Sequence, residues 1–142
     1  MKIRLTLGDW AIQKAAAEAI RYEVFVIEQN VPVELEWDEM DVVSLHAIAS
    51  DVSDEVVGTG RLLPDGHIGR MAVRKSARGV GVGSEILQAL MAEAKRRGDL
   101  TVVLHAQIQA VPFYARFGFV REGDEFMEAG IPHICMRCCF DV

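Results

Sequence analysis

Hydrophobic and polar positions along the first half of the chain predict a strand, a helix and a three-stranded meander. The run IRLTL (3–7) indicates a short strand, and Asp9 can cap an alanine-rich helix that extends from about Trp10 into RYEVFVIEQN. The turn-forming segments DVSDE and PDG then separate three β-like runs, which are SLHAIAS, EVVGTGRLL and GHIGRMAV. Short turns between successive strands are typical of an antiparallel meander.

The second half predicts two helices and three strands. A helix over about 81–97 would carry one apolar face, formed by Val82, Ile86, Leu87, Leu90, Met91 and Ala94. The run TVVLHA (101–106) has the composition of a buried strand, and Pro112 suits the first turn of a short helix, AVPFYARF. Two strands, FVRE and HICMRCCF, follow, with an acidic turn, GDEFMEAGIP, between them. The order β-α-β-β-β-α-β-α-β-β predicts an α/β fold with a mixed sheet and helices on its faces.

Size and composition favour one globular domain covering residues 1–142. Of the 142 residues, 51% are hydrophobic and 25% are charged, which suffices for a hydrophobic core. No run approaches the roughly 18 apolar residues of a membrane span. The first residues, MKIRLTLGDW, lack the apolar core and cleavage site of a secretory signal. We therefore expect a cytoplasmic protein without a membrane partner.

Charge is distributed unevenly along the chain. The net charge of −6 argues against nucleic-acid binding, which requires a basic surface. Between Tyr22 and Gly60 there are ten acidic residues and no Lys or Arg, whereas residues 61–98 carry eight Lys or Arg and three acids. The acids form either a solvated surface or a site that attracts a cation. The acid-rich segment NVPVELEWDEMDV has little periodicity and predicts an irregular, exposed loop.

All three cysteines lie in the segment CMRCC near the end of the sequence, at Cys135, Cys138 and Cys139. An odd, clustered set does not form a disulfide framework, and a zinc site would need two more ligands at a matching turn. The alternating pattern of HICMRCCF favours buried thiols in a strand. We therefore predict no metal site.

Three glycines, Gly79, Gly81 and Gly83, mark the start of the second helix. Glycine is unfavourable within helices but suits a start where the backbone bends sharply or approaches a ligand closely. Unpaired N–H groups and the helix dipole make phosphate the usual ligand of such a start. A Rossmann motif would need glycine where Ser84 stands, and no P-loop sequence occurs in the chain.

The segment RGVGVG (78–83) resembles the R/Q-x-x-G-x-G/A acetyl-coenzyme A signature of the GNAT acetyltransferase superfamily, and GRMAV precedes it as in that family. The segment QIQAVPFYARFGF (107–119) resembles the family's N-x-x-A-x-x-F-Y-x-x-x-G-F block, with Gln107 replacing Asn. RYEVFVIEQ and AGIPHICM resemble a branch of small GNAT proteins, and IPHICM is also similar to glyphosate acetyltransferases. The resemblance covers nearly the whole chain and implies the GNAT fold, a mixed, mostly antiparallel sheet flanked by helices.

The resemblance implies acetyl-CoA as co-substrate. In the family, the pantetheine arm pairs with a strand that splays from its parallel neighbour, a role implied here for Met71, Ala72 and Val73, with a further contact from Gln107. The pyrophosphate would lie against the residues of the helix start, which are Gly79, Val80, Gly81, Val82, Gly83 and Ser84. Arg78 and Arg116 would add positive charge, although Arg116 fits an exposed helix residue equally well.

The chemistry that the resemblance implies is direct acetyl transfer to a primary amine. The Val73 N–H is the implied donor to the thioester carbonyl, and Tyr114 matches the tyrosine that protonates the CoA sulfur. His133 corresponds to the catalytic histidine of glyphosate acetyltransferases. Glu28, Glu34 and His133 are candidates for removing the amine proton, and either glutamate can instead bind the ammonium. A covalent route through a cysteine lacks an obvious base partner.

Two function classes remain open, a CoA-dependent N-acetyltransferase and a non-catalytic acyl-CoA-binding module whose acidic face docks a partner. Tyr114 favours the enzyme, because a binding module has no need for a hydroxyl group at that position. Small amines, amino acids, antibiotics and protein amino groups all remain possible acceptors. A homodimer is also possible.

Overall fold

Strands and helices follow the predicted order in the computed structural model, which describes residues 2–140. The strands are β1 (Arg4–Gly8), β2 (Leu45–Ser50), β3 (Val56–Leu62), β4 (His67–Val73), β5 (Thr101–Gln107), β6 (Val120–Glu128) and β7 (Ile131–Cys139). The helices are α1 (Trp10–Arg21), α2 (Val33–Glu36), α3 (Val82–Arg96) and α4 (Val111–Ala115). A π-helical segment (Tyr22–Glu28) extends α1, where the sequence predicted one continuous helix.

The strands form one mixed, mostly antiparallel sheet in the order β1-β2-β3-β4-β5-β7-β6. β2, β3 and β4 form the predicted three-stranded antiparallel meander, and β1 pairs antiparallel with β2 at its edge. β4 and β5 run parallel to each other, with α3 in the connection between them. β7 then lies antiparallel between β5 and β6, so the last strand in the chain occupies an interior position.

Helices cover both faces of the meander. Ala47 and Ala49 of β2 face the core that contains the apolar side of α3, whereas Ile48 packs with Trp10 and Ala17 of α1. Successive strand residues point to opposite faces, so α1 and α3 lie on opposite sides of the sheet. The predicted apolar face of α3 is buried except at Met91, which is partly buried. Each buried valine, leucine or isoleucine there contributes roughly 1.5–3 kcal/mol of hydrophobic stabilisation.

The acid-rich segment after the π-helix differs from its prediction. It forms α2 and a 3-10 helix (Glu39–Val43) instead of an irregular, exposed loop. Glu36 and Asp41 are buried, at 7% and 0% exposure, because Arg21 of α1 bonds to both carboxylates. The prediction of an irregular, exposed segment was therefore wrong for its backbone and for these two carboxylates, because another segment supplies the charge that permits their burial.

The acidic segment GDEFMEAGIP also differs from its prediction. Most of it belongs to β6, whose pairing with β7 shifts register between Glu122 and Phe126. The turn contains only Ala129 and Gly130, with φ angles of 51° and 77°. β6 is an edge strand exposed along most of its length, so it lacks the alternating pattern that would have predicted a strand.

Candidate active site

Two parallel neighbours, β4 and β5, separate after a short stretch of pairing. They pair only at His67 with Val103 and at Ile68 with Leu104 within the described chain, while β4 stays paired to β3 as far as Val73. The edge of β4 that faces β5 is therefore open from Gly69 onward. Unpaired backbone N–H and C=O groups along such an edge need hydrogen-bond partners. An extended ligand can supply them.

A cavity of about 610 Å³ lies at this separation. Its wall includes three of the predicted site residues on β4, β5 and α4, namely Met71, Gln107 and Tyr114, and a fourth on β7, His133. Gln107 and His133 are directly opposite each other in the β5–β7 pairing. The splay and the β7 pairing therefore bring together residues that are far apart in sequence.

The other two predicted pantetheine residues lie on the same strand. Ala72 is buried against Ile20 and Val24, and Val73 is half-buried with its side chain directed toward Gly83 of α3. Both pair with β3, so the strand is held on one side while its other edge stays open.

Gln107, the fourth predicted pantetheine residue, lies at the end of β5. It is held by a 3.1 Å hydrogen bond from its Nε2 to Oε1 of Gln29 at the end of the π-helix.

The glycine-rich loop forms an open helix start. Gly79 and Gly81 have left-handed φ angles of 81° and 92°, and a Cβ added at either would meet no described atom within 4 Å. Gly81 is the N-cap of α3, and no described side chain caps that end. The first N–H groups of α3, in Val82, Gly83 and Ser84, can therefore bind an anion.

The two candidate arginines differ in their contacts. Arg78 donates from Nε to the Val73 carbonyl at 2.9 Å and from both terminal nitrogens to Glu28 at 2.6 Å. Arg116 is exposed, and its guanidinium carbon lies 5.5 Å from the ring centre of Phe113. Arg78 is thus ion-paired with Glu28 at the glycine-rich loop, whereas Arg116 packs on an aromatic ring.

Tyr114 lies on α4 among aromatic side chains and lines the cavity. Burial raises the pKa of its hydroxyl to about 12 because the phenolate is poorly solvated there. Its proton is therefore retained well above neutral pH, and Tyr114 can act as a hydrogen-bond donor in the cavity.

His133 has a defined tautomer in its neutral form. Its Nδ1 lies 2.7 Å from the carbonyl oxygen of Ile131, which only accepts hydrogen bonds, so Nδ1 carries the hydrogen. Nε2 then bears the lone pair and lies 3.7 Å from Oε2 of Glu128. Glu128 also accepts a 2.9 Å hydrogen bond from Nδ1 of His105.

Several similarities to known proteins accompany this geometry. A family model for the acetyltransferase (GNAT) domain matches residues 11–140. The uncharacterized N-acetyltransferase YjcF of Bacillus subtilis is 46% identical over 121 residues, covering 82% of this chain and 86% of that protein. The structure of an acyl-CoA N-acyltransferase from Pseudomonas aeruginosa has a TM-score of 0.87 at 31% identity, covering 97% of this chain and 100% of that chain.

The chain belongs to the GNAT acetyltransferase family. A Bacillus anthracis structure assigned as a streptothricin acetyltransferase and solved in complex with acetyl coenzyme A has a TM-score of 0.60 at 23% identity. It covers 69% of this chain and 63% of that chain, and it supports the shared fold alone. The separated strands and the glycine-rich helix start thus occur in a GNAT chain, as the sequence resemblance predicted.

The acidic segment of this GNAT protein is largely neutralised by arginines. Arg21 bonds to Glu36 and Asp41, and Asp38 accepts from Arg61 at 2.7 Å and from Arg70 at 3.0 Å. The acidic and basic parts of the sequence therefore pair with each other, which weakens the hypothesis that this segment attracts a cation. Arg21 was not a predicted site residue, although its place on the buried side of α1 is a signal for an internal ion pair.

Glu28 and Glu34, the candidate acceptor-binding carboxylates, are both exposed. Within residues 2–140, neither lines the cavity at the strand separation. The structure instead places Glu128 and His105 on the cavity wall, and sequence reasoning missed both. The signal for them is the strand register, because His105 faces Cys135 and Glu128 lies near the start of β7. That register could be predicted only by assigning most of the segment GDEFMEAGIP to β6.

The cysteines do not share one environment. Cys138 is buried, Cys135 is half-buried and Cys139 is exposed, so the prediction of three buried thiols was correct only for Cys138. Burial and the nearby Glu122 carboxylate raise the pKa of the Cys135 thiol, which lowers its nucleophilicity near neutral pH.

No group of three His, Cys, Asp or Glu side chains within the described residues is arranged to bind a metal ion. The described helices include none with the length and apolarity that a membrane crossing requires.

Proposed function

We propose that this protein is an N-acetyltransferase that moves an acetyl group from acetyl-CoA to a primary amine by direct transfer. The observation that carries the proposal is the open edge of β4 beside the uncapped start of α3. This arrangement offers backbone hydrogen bonds to an extended arm and N–H groups to a pyrophosphate, so both parts of one CoA molecule have a complementary surface.

The residues of the chain divide the binding of acetyl-CoA between them. The backbone of Met71, Ala72 and Val73 would pair with the pantetheine arm, and Gln107 would add a side-chain contact. The loop from Gly79 to Ser84 would hold the pyrophosphate, with charge supplied by Arg78 and Arg116. When bound, acetyl-CoA supplies an acetyl carbonyl attached to a thiolate leaving group.

Transfer then requires three actions by the protein. His133 accepts a proton at Nε2 from the acceptor ammonium, and the resulting amine lone pair can attack the carbonyl carbon. The Val73 N–H donates to the carbonyl oxygen as negative charge develops there. As the new C–N bond forms and the C–S bond breaks, the attacking nitrogen loses its second proton to solvent, and Tyr114 donates a hydrogen bond to the departing sulfur.

The raised pKa of Tyr114 defines how that tyrosine assists. A phenol with a pKa of about 12 is a weaker acid than an ordinary thiol, whose pKa is roughly 8.5. Complete proton transfer from Tyr114 to a thiolate is therefore uphill at equilibrium. Tyr114 assists mainly by stabilising the thiolate through a hydrogen bond, and solvent completes the protonation.

Release of free CoA tests the proposal. Acetyl-CoA would be incubated with the protein and a panel of primary amines, and new thiol would be measured against reactions without protein or without amine. We expect CoA release only when both the protein and an amine are present. An acetyl-CoA-dependent rise in melting temperature without amine-dependent release would favour the non-catalytic acyl-CoA-binding module instead.

A further inference from the structure

Glu128, at the end of β6, differs from the other carboxylates of the cavity wall. Glu36 and Asp38 accept hydrogen bonds from arginines. Glu128 contacts two histidines, and among residues 2–140 it has no arginine or lysine partner. It is therefore the cavity carboxylate whose charge is best able to act on a cationic ligand.

The neighbours of Glu128 hold its carboxylate in place. Nδ1 of His105 lies 2.9 Å from Oε1 and leaves Oε2 for another donor. The ring of Phe126 packs edge-on against His105 at 5.1 Å and stacks on His133 at 6.1 Å. The Glu128 side chain is 43% exposed, so a ligand can reach it without disrupting the fold.

The gap between Glu128 and His133 lacks a hydrogen-bond donor when the histidine is neutral. Nδ1 of His133 donates to the Ile131 carbonyl, so Nε2 presents a lone pair to the carboxylate oxygen 3.7 Å away. That distance exceeds a hydrogen bond, and both atoms are acceptors. A ligand nitrogen that carries two or more N–H groups would satisfy both atoms at once.

The gap is also close to the expected reaction centre. His133 lies opposite Gln107 in the β5–β7 pairing, and Gln107 is the residue expected to contact the pantetheine arm. Tyr114 lines the same cavity. An amine held between Glu128 and His133 would thus share the cavity with Tyr114, the proposed hydrogen-bond donor to the CoA thiolate.

We infer that Glu128 binds the ammonium group of the acceptor and holds it against Nε2 of His133. The acceptor class is then a primary amine that is cationic at neutral pH. This inference rests on the proposed function for its chemistry: the ammonium gives one proton to Nε2, which leaves a neutral amine and an imidazolium beside the Glu128 carboxylate. Glu128, rather than Glu28 or Glu34, supplies the negative charge for the acceptor.

Two probes of equal shape test the ammonium site directly. Benzylammonium and benzyl alcohol would be titrated by calorimetry into the protein saturated with CoA. We expect the unmodified protein to prefer benzylammonium by about tenfold or more, as for a hydrogen bond between charged groups. Glu128→Gln should remove this preference. Glu125→Gln, an exposed acid on the same strand outside the cavity lining, should keep it.

The outcomes separate this inference from the proposed function. If Glu128→Gln retains the preference, or if the unmodified protein binds both probes equally or not at all, the inference is overturned. The same conclusion follows if nitrogen NMR finds His133 already an imidazolium paired with Glu128 at pH 7.5. A normal acetyl-CoA melting shift in Glu128→Gln establishes that the variant is folded. If the protein prefers benzylammonium over benzyl alcohol but releases CoA with no amine, the proposed acetyltransferase function is contradicted and the inferred ammonium site is retained.

Discussion

Arg78 donates two hydrogen bonds of 2.6 Å to Glu28, joining the glycine-rich loop to the end of the π-helix. The same guanidinium is the one proposed to face the CoA pyrophosphate. Glu28 and a bound pyrophosphate would therefore compete for Arg78. The pair is more than a third exposed, which limits its strength.

Replacing Glu28 with Gln should strengthen CoA binding, because Arg78 no longer has a charged partner. An exposed ion pair contributes about 0.2–1 kcal/mol, so we expect the Kd for CoA to fall by no more than about fivefold. Calorimetric titration measures this change. Glu34→Gln removes an equal charge from an exposed site and should leave the Kd nearly unchanged. Weaker binding to Glu28→Gln would mean that Glu28 orders the loop for the ligand.

Gly81→Val should abolish the rise in melting temperature that acetyl-CoA produces. A valine there would direct its side chain into the open space above the start of α3. In the unmodified protein, a ligand at 100 times its Kd stabilises by about 2.7 kcal/mol. Gly98→Val is a matched control, because Gly98 also has a left-handed φ and open surroundings but follows the end of α3. Both variants should lose stability, and only Gly98→Val should retain the shift.

Local patterns predicted the core of the fold and the glycine-rich start of α3, which we propose as the pyrophosphate site. The apolar face of α3 and its glycine-rich start are encoded within one continuous segment, so neither depends on knowing a distant partner. Arg21 was missed as an ion-pair residue because its carboxylates come 15 and 20 residues later. Glu128 was missed because an exposed edge strand with a register shift resembles a polar turn. Long-range pairing was thus the information that local sequence patterns lacked.

Tyr114→Phe should lower the rate constant for acetyl transfer while leaving the Kd for CoA unchanged, because only the hydroxyl is removed. A preorganised hydrogen-bond donor to negative charge that develops in the transition state contributes about 10²–10³-fold. Since the pKa of Tyr114 is about 12, its loss of a proton should not reduce the parent rate between pH 7 and pH 10. Tyr22→Phe alters the chain's other tyrosine, which is exposed on the π-helix, and serves as the control. Parental turnover by Tyr114→Phe would reduce Tyr114 to a packing residue.

Arg21→Ala should destabilise the fold strongly. Arg21 is 1% exposed and bonds to Glu36 and Asp41, so its removal leaves two buried carboxylates without their main cation. Breaking a buried ion pair in this way typically costs about 3–5 kcal/mol. Arg4→Ala breaks the exposed pair with Asp54 and should cost less than about 1 kcal/mol. Urea denaturation measures both, and equal losses would contradict the structural importance of the buried cluster.

Protonation of His46 should lower the stability of the fold in mildly acidic solution. Burial lowers the pKa of His46 below its ordinary 6.5, and its Nε2 donates to the Asp41 carbonyl at 2.9 Å. From roughly one unit above pH 6.5 the residue is almost entirely neutral in both folded and unfolded chains, so it adds no pH dependence there. As pH falls below 6.5, the unfolded chain binds a proton that the folded chain resists, and the free energy of unfolding decreases by at most about 1.4 kcal/mol per pH unit. The Asp41 carboxyl has a pKa lowered from 3.8 by its arginine partners, so its contribution is lost only at more acidic pH.

His46→Gln should therefore flatten the stability profile between pH 6.5 and pH 5, because glutamine does not titrate in this range. The variant also loses the packing of the imidazole against Trp10, whose ring centre lies 4.7 Å away, so its stability should be lower at every pH. The slope, rather than the absolute stability, is the diagnostic quantity. Urea denaturation at half-unit pH intervals measures that slope for both proteins. Parallel profiles would show that acid sensitivity in this range arises from other groups and that His46 is protonated without a penalty in the folded chain.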